Sequence, residues 1–274
     1  MQNSMKTLNH IFWIFLFAVA VSACSKDSEP CDPDDEESPC YGGVSGQAKL
    51  LLTEIKRNGL AYYKYEYDNK NKMTVAYFYD EKGSLFLTQM YTYSGGDFPV
   101  KTTNKSLTAS GNFVWDYKLG SDGRPTSMLQ TFPDDPDSTP VDYTFSYSKN
   151  TMVETGIPRT KDPHVMVNTY TYNDNGNLLS IVFTQDGDWL TTIEQGNFDD
   201  KIASSYYGNP IAWKFPGKNN HGTEKITSKN AAMSQDHIWK YTYNDAGYPI
   251  TAKVFDKGSD VLVVSYTYSY KPAK

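Results

Sequence analysis

The chain has 274 residues, 26 basic and 32 acidic side chains, a formal net charge of −6 and a mean hydropathy of −0.59. Without a basic excess there is no electrostatic footprint for nucleic acid, and three cysteines and four histidines, none in ligand spacing, exclude a Cys/His metal centre. Abundant Tyr, Thr, Val and Ser without sustained 3.6-residue periodicity predicts an all-β chain.

The first element is not part of that fold. Lys6 is a positive n-region, Ile11 to Ala20 is an apolar run half the length of a membrane-spanning helix, and Val21-Ser22-Ala23 is a small-residue cleavage context. Residues 1–23 therefore read as a signal peptide. Val21-Ser22-Ala23-Cys24 resembles the bacterial lipobox, which implies diacylglycerol on Cys24 after cleavage before it.

Residues 24–45 form the next segment. Its stretch from Cys24 to Cys40 holds seven acidic residues and one lysine, a net charge of −6. Removing Lys6 with the signal peptide leaves the mature chain at −7, so the remaining body is close to −1. Pro, Ser, Asp and Glu bury too little apolar surface to order such a segment, which predicts a flexible, self-repelling tether. Cys31 and Cys40, outside the cytoplasm, are left either as a small disulfide loop or as two free thiols.

Residues 46–271 read as one β-domain. Lys49 to Lys56 is turned by Asn58-Gly59 into Leu60 to Tyr67, where Tyr63, Tyr65 and Tyr67 share a face. Met73 to Tyr79 and Ser84 to Tyr93 follow, joined through Asp80-Glu81-Lys82-Gly83. Tyr-x-Tyr strands running into Asx/Gly turns recur at Trp115-Asp116-Tyr117, at Tyr143, Phe145 and Tyr147, at Tyr170 and Tyr172, and at Trp239, Tyr241 and Tyr243. The Asx/Gly turns supply left-handed residues for hairpins, so neighbouring strands are antiparallel. The last strand alternates Leu262, Val264, Tyr266, Tyr268 and Tyr270 with Val263, Ser265, Thr267 and Ser269. Two stretches break the rhythm: the acidic loop Phe132 to Pro140, and Tyr206 to Met233, a long irregular insertion that Ile211, Trp213 and Phe215 mark as packed.

The units Tyr77 to Leu85, Tyr170 to Leu178 and Tyr241 to Ile250 resemble the tyrosine-aspartate repeats of Rhs-type proteins, which imply a meandering sheet. With its size, the lipobox and the late Asn209-Pro210 loop, the chain resembles a family of Bacteroidota surface lipoproteins carrying a porin-like domain of unknown function. That resemblance implies a fold and an address, an outer-membrane lipid anchor facing the cell surface, and no catalytic residues. Fourteen residues separate Tyr63 from Tyr77 and Tyr77 from Tyr91, but 24 separate Tyr91 from Trp115. The expected architecture is thus an antiparallel β-meander forming a strongly curved sheet or incomplete barrel. Lys240 and Lys253 interrupt strands and a lipid anchor is redundant for an integral barrel, so the expectation is a domain that does not span the membrane.

No nucleophile elbow or H-E-x-x-H motif is present, and His164, His221 and His237 read as ordinary strand or loop residues. Asp174, Asp186, Asp188 and Asp199 can serve as turn formers or as a glycosidase pair, which needs two carboxyls about 5 to 9.5 Å apart. Asn173 to Asn177 lacks the downstream glutamate of a calcium loop. The better lead is aromatic: Trp189, Trp213, Trp239, Tyr206 and Tyr207 offer flat faces for a sugar ring, against their ordinary use in packing. The reading is a non-enzymatic module, without cofactor or metal, that captures glycan or protein. The alternatives are an envelope assembly protein and a carbohydrate-active hydrolase.

Overall fold

A computed structural model describes residues 49–107 and 111–274. The signal peptide, Cys24, the acidic tether, Cys31 and Cys40 lie outside the described residues. The described chain is a meander of sixteen strands. The first eight are β1 (Leu50–Arg57), β2 (Leu60–Tyr67), β3 (Met73–Tyr79), β4 (Leu85–Thr92), β5 (Lys101–Ser106), β6 (Phe113–Leu119), β7 (Pro125–Thr131) and β8 (Val141–Ser148). They are followed by β9 (Thr151–Pro158), β10 (Met166–Tyr172), β11 (Leu178–Gln185), β12 (Asp188–Gly196), β13 (Thr223–Ser228), β14 (Gln235–Tyr243), β15 (Pro249–Asp256) and β16 (Leu262–Pro272). A single 3-10 turn, Ala231–Met233, precedes β14.

Every strand pairs antiparallel with its sequence neighbours, and β1 pairs with β16 from Leu50↔Pro272 to Arg57↔Tyr266. The sheet is therefore a closed barrel, which corrects the expectation of an incomplete one. Two polar strands account for the misjudged spacing. The Tyr91–Trp115 gap contains β5, whose inward positions are Thr102 and Asn104 instead of aromatics. The stretch expected to be irregular to Met233 contains β13, whose inward residues are Glu224 and Ile226. Neither shows the apolar alternation by which strands are recognised.

Five turns share one geometry. In Asp68–Lys72, Asp80–Ser84, Gly120–Arg124, Asn173–Asn177 and Asn244–Tyr248 the first N–H donates to the fifth carbonyl and the fourth N–H to the first carbonyl. The fourth residue has positive φ, from 64° at Asn71 to 78° at Gly83, and the ladder slips by one residue beside each turn. This is a type I turn closed by a left-handed residue and a bulge. Four of the five are led by Asx, whose side chain closes the turn: Asn173 Oδ1 accepts from Asn175 N and Asn177 N at 3.0 Å each, and Asp68 and Asp80 repeat the pattern.

The alternation sorts the wall into two faces. Inward stand Tyr63, Tyr65 and Tyr67, then Tyr91, Tyr117, Tyr143, Phe145, Tyr170, Tyr172, Trp239, Tyr241, Tyr266, Tyr268 and Tyr270, with aliphatic partners such as Ile181, Ile193 and Val254. Rim tyrosines tie strands together: the hydroxyls of Tyr93, Tyr147 and Tyr270 donate to the carbonyls of Met73, Pro125 and Pro249. Outward stand mainly Thr, Ser, Lys, Glu and Asp, with aliphatics such as Val153 and Val182 and a few aromatics such as Tyr77 and Phe255 between them. Cross-strand ion pairs lie on this face, Lys64 to Glu54 at 3.4 Å and Lys101 to Asp116 at 3.6 Å, and Lys240 and Lys253 sit directly opposite one another on it.

Candidate functional site

Sixteen strands spaced about 4.8 Å apart enclose a bore of roughly 25 Å before tilt, wider than side chains from the wall can fill. The insertion between β12 and β13, residues 197–222, enters this space as a plug. Asp199 holds one end, accepting from Asn220 N at 3.0 Å and from the Tyr243 hydroxyl. Asn177 Oδ1 on the β10–β11 turn side accepts from Lys218 N and Asn219 N at 2.9 and 3.1 Å. At the other side of the mouth, Gly208 lies so close to Tyr67 and Leu51 that a Cβ there would meet Tyr67 Cε1 at 2.7 Å.

The plug tip is Trp213-Lys214-Phe215, all three buried. Trp213 packs edge-on against Phe145 on β8, centroids 4.8 Å apart, and against Tyr117 on β6; Phe215 packs against Tyr170. Between them Lys214 reaches Glu154 on β9. Its Nζ donates to Glu154 Oε1 at 2.9 Å and Oε2 at 2.8 Å. Oε2 also accepts from Asn168 Nδ2 at 2.9 Å and the Tyr170 hydroxyl at 3.0 Å. Glu154 is 2% exposed, so this is an ion pair fully inside protein, with one bond to Oε1 and three to Oε2. Burial pulls the Lys214 ammonium below the usual lysine range, and Glu154 opposes that pull. Burial and Glu154 together raise the Tyr170 phenol well above its ordinary value, keeping it a neutral donor. A pair enclosed this way is closed to a substrate; its chemistry is to hold the plug.

A second polar group occupies the wall of β12–β14. Gln195 pairs across to Glu224, and Glu224 to His237, which places all three on the inward face. His221, from the last residues of the plug, lies edge-on to Trp239 with centroids 5.0 Å apart. Burial alone pushes the His221 imidazole down to about 4. Burial raises the neighbouring Glu224 carboxyl, with a hydrogen bond from Gln195 opposing.

The aromatic residues singled out from sequence do not converge. Trp213 is the anchor of the plug, its ring covered by Phe145 and Tyr117. Tyr206 and Tyr207 are half-buried at the plug end, Tyr207 near Tyr248 and beneath Lys49 Nζ at 5.9 Å. Trp189 is exposed at the opposite rim, its Nε1 donating to Thr192. Trp239 is the one of the five on the inner wall beside buried polar groups. The four carboxylates are equally dispersed: Asp186, bonded to His164 at 2.6 Å, and Asp188, 3.6 Å from Lys229, are at the far rim, whereas Asp174 and Asp199 are at the plug end. Sequence reasoning missed Glu154. Its one visible sign is a charge at the position where alternation from Met152 demands an inward residue.

Fold and interior together define a closed, plugged up-and-down β-barrel. Among solved structures the chain is similar to a porin-like protein from Bacteroides uniformis ATCC 8492, at 16% identity and a TM-score of 0.51, over 82% of this chain and 96% of that one. It is also similar to a porin-like protein from Bacteroides vulgatus ATCC 8482, at 13% identity and a TM-score of 0.48, over 82% of this chain and 100% of that one. At such identities the likeness concerns the fold. No protein-family model and no curated protein matches the chain.

Proposed function

We propose that this chain is a lipid-anchored lipoprotein of the Bacteroidota outer membrane whose barrel stands in water as a non-catalytic capture module for glycan or protein. The observation that carries the reading is the outward face. A membrane barrel turns an apolar band to lipid and a polar face to its lumen; here most of the aromatics point inward and the mid-strand outward positions include Lys64, Asp116, Lys240 and Lys253. A lysine facing lipid at the bilayer midplane costs about 2 to 4 kcal/mol. The plug in the bore argues in the same direction, since a plugged barrel is not an open channel. The lipobox at Cys24 and the acidic tether supply the anchor, and the Tyr-x-Tyr and Asx/Gly units fit a shell built from tyrosine-aspartate repeats.

Fractionation of cells carrying wild type or Cys24→Ser tests the reading. Wild type is expected in the outer-membrane fraction, released by detergent alone, and Cys24→Ser in the detergent-free soluble fraction. A Cys24→Ser protein that stays membrane-embedded after alkaline carbonate washing overturns it.

A further inference from the structure

The inner wall around Trp239 contains polar atoms that the fold leaves unused. Trp239 and Tyr241 follow His237 on the inward face of β14. Tyr266 lies parallel to Trp239, centroids 5.6 Å apart at an interplanar angle of 6°, and Tyr241 lies at 6.1 Å and 17°. Gln195 Nε2 donates to Glu224 Oε2 at 3.0 Å, and His221 Nε2 stands 3.8 Å from the same oxygen, beyond hydrogen-bond length. Three buried atoms of this group have no hydrogen-bond partner among the described residues: Gln195 Oε1, His221 Nε2 and Trp239 Nε1. Gln195 and His221 are 6% and 7% exposed, so bulk water does not reach them freely. Native proteins leave few such groups unpaired, because each costs about 1 to 3 kcal/mol. Three in one cluster, against an aromatic wall, have the composition of a ligand site.

The chemistry of the three atoms selects the ligand class. Gln195 Oε1 only accepts, Trp239 Nε1 only donates, and neutral His221 Nε2 does either according to tautomer. A hydroxyl both donates and accepts, so a ligand bearing several of them satisfies all three. A quaternary ammonium ion satisfies neither amide nor indole. An anion meets the Glu224 carboxyl, and the imidazole beside it is neutral at physiological pH. The half-buried rings of Trp239, Tyr241 and Tyr266 match the C–H faces of a pyranose.

We propose that Gln195, His221, Glu224 and Trp239 form an internal binding site for a neutral saccharide unit, walled by Tyr241 and Tyr266. This rests on the capture reading above and places capture inside the barrel, at the foot of the plug. The test is calorimetric titration of the full-length protein, in a non-glycosidic detergent, with glucose, galactose, mannose, N-acetylglucosamine, cellobiose and maltose. At least one sugar is expected to bind saturably. Gln195→Leu, which removes the unpaired acceptor, and Trp239→Phe, which keeps a ring and removes the donor, are each expected to weaken that binding about tenfold or more. Thr144→Ala, on the outer face of β8, is expected to leave it unchanged. Thermal melts identify any variant that fails to fold, and the other then decides. If a sugar binds equally well to both lumen variants, the internal site is wrong while capture at another surface stands. If none of the six binds, the saccharide proposal fails outright, whatever the fractionation of Cys24→Ser shows. A high-resolution structure soaked with the sugars that finds water alone bridging the three atoms also overturns it.

Discussion

Replacing Lys214 with methionine tests whether the buried ion pair holds the plug. The substitution keeps most of the apolar stem between Trp213 and Phe215 and removes two of the four hydrogen bonds that Glu154 receives. A carboxylate left buried with a neutral amide and a phenol as partners is destabilising by about 3 to 5 kcal/mol. The expected loss is therefore about 3 to 5 kcal/mol, a fall in Tm of roughly 10 °C for a chain of this size. Glu154→Gln together with Lys214→Met keeps an acceptor for Asn168 and Tyr170 and removes the charge, so the double variant should recover to within about 1 kcal/mol of wild type. Urea denaturation followed by tryptophan fluorescence reports the stability, and hydrogen exchange at the Lys214 and Phe215 amides, both bonded to the Ile211 carbonyl, reports the plug. A Lys214→Met loss below about 1 kcal/mol, or a double variant no better than the single, refutes the latch.

Two further perturbations address the interior. His221 titrates at about 4 when folded and near 6.5 when unfolded, so the unfolded chain alone takes up its proton between those values. Stability is therefore full above about 6.5 and lost as pH falls toward 4, by up to about 3 kcal/mol; Glu224, raised by burial, offsets part of this, and His237, lowered by burial, deepens the loss. His221→Gln should flatten the stability profile in that window, and an unchanged slope refutes the assignment. Gly156→Ala on β9 sets a Cβ 2.7 Å from Tyr143 Cε1, and that ring is fixed by its buried hydroxyl bond to Gln130; a loss of about 1 to 3 kcal/mol in urea denaturation is expected, and a neutral change refutes the claimed rigidity.

Much of the wall was legible because its local chemistry repeats. Strands with Tyr on alternate positions and turns led by Asp or Asn announce both their conformation and their inward face, and β1 to β4 were located to within a residue or two. What escaped had no local signature. Strands β5 and β13 put Thr, Asn and Glu inward, so their alternation is polar on polar. Closure depends on pairing Leu50 with Pro272, partners more than 200 residues apart, and nothing near either residue records the other. Ile211, Trp213 and Phe215 mark the plug as packed in sequence. Its role has no local mark: the partner of Lys214 lies 60 residues back, on β9, and in sequence Glu154 looks like one more exposed strand charge.

The seam between β1 and β16 sets the order in which the molecule can be built. Fifteen of the sixteen strands can pair as they emerge, each on its immediate predecessor, but the first strand keeps an unpaired edge until the last residues arrive. Such late, long-range pairing is slow, and an open edge invites pairing with another chain. Strand β16, Leu262–Pro272, is thus the keystone of a vault: shortening the chain by that one strand exposes two edges at once and turns a self-contained shell into a ribbon that neighbouring copies can extend.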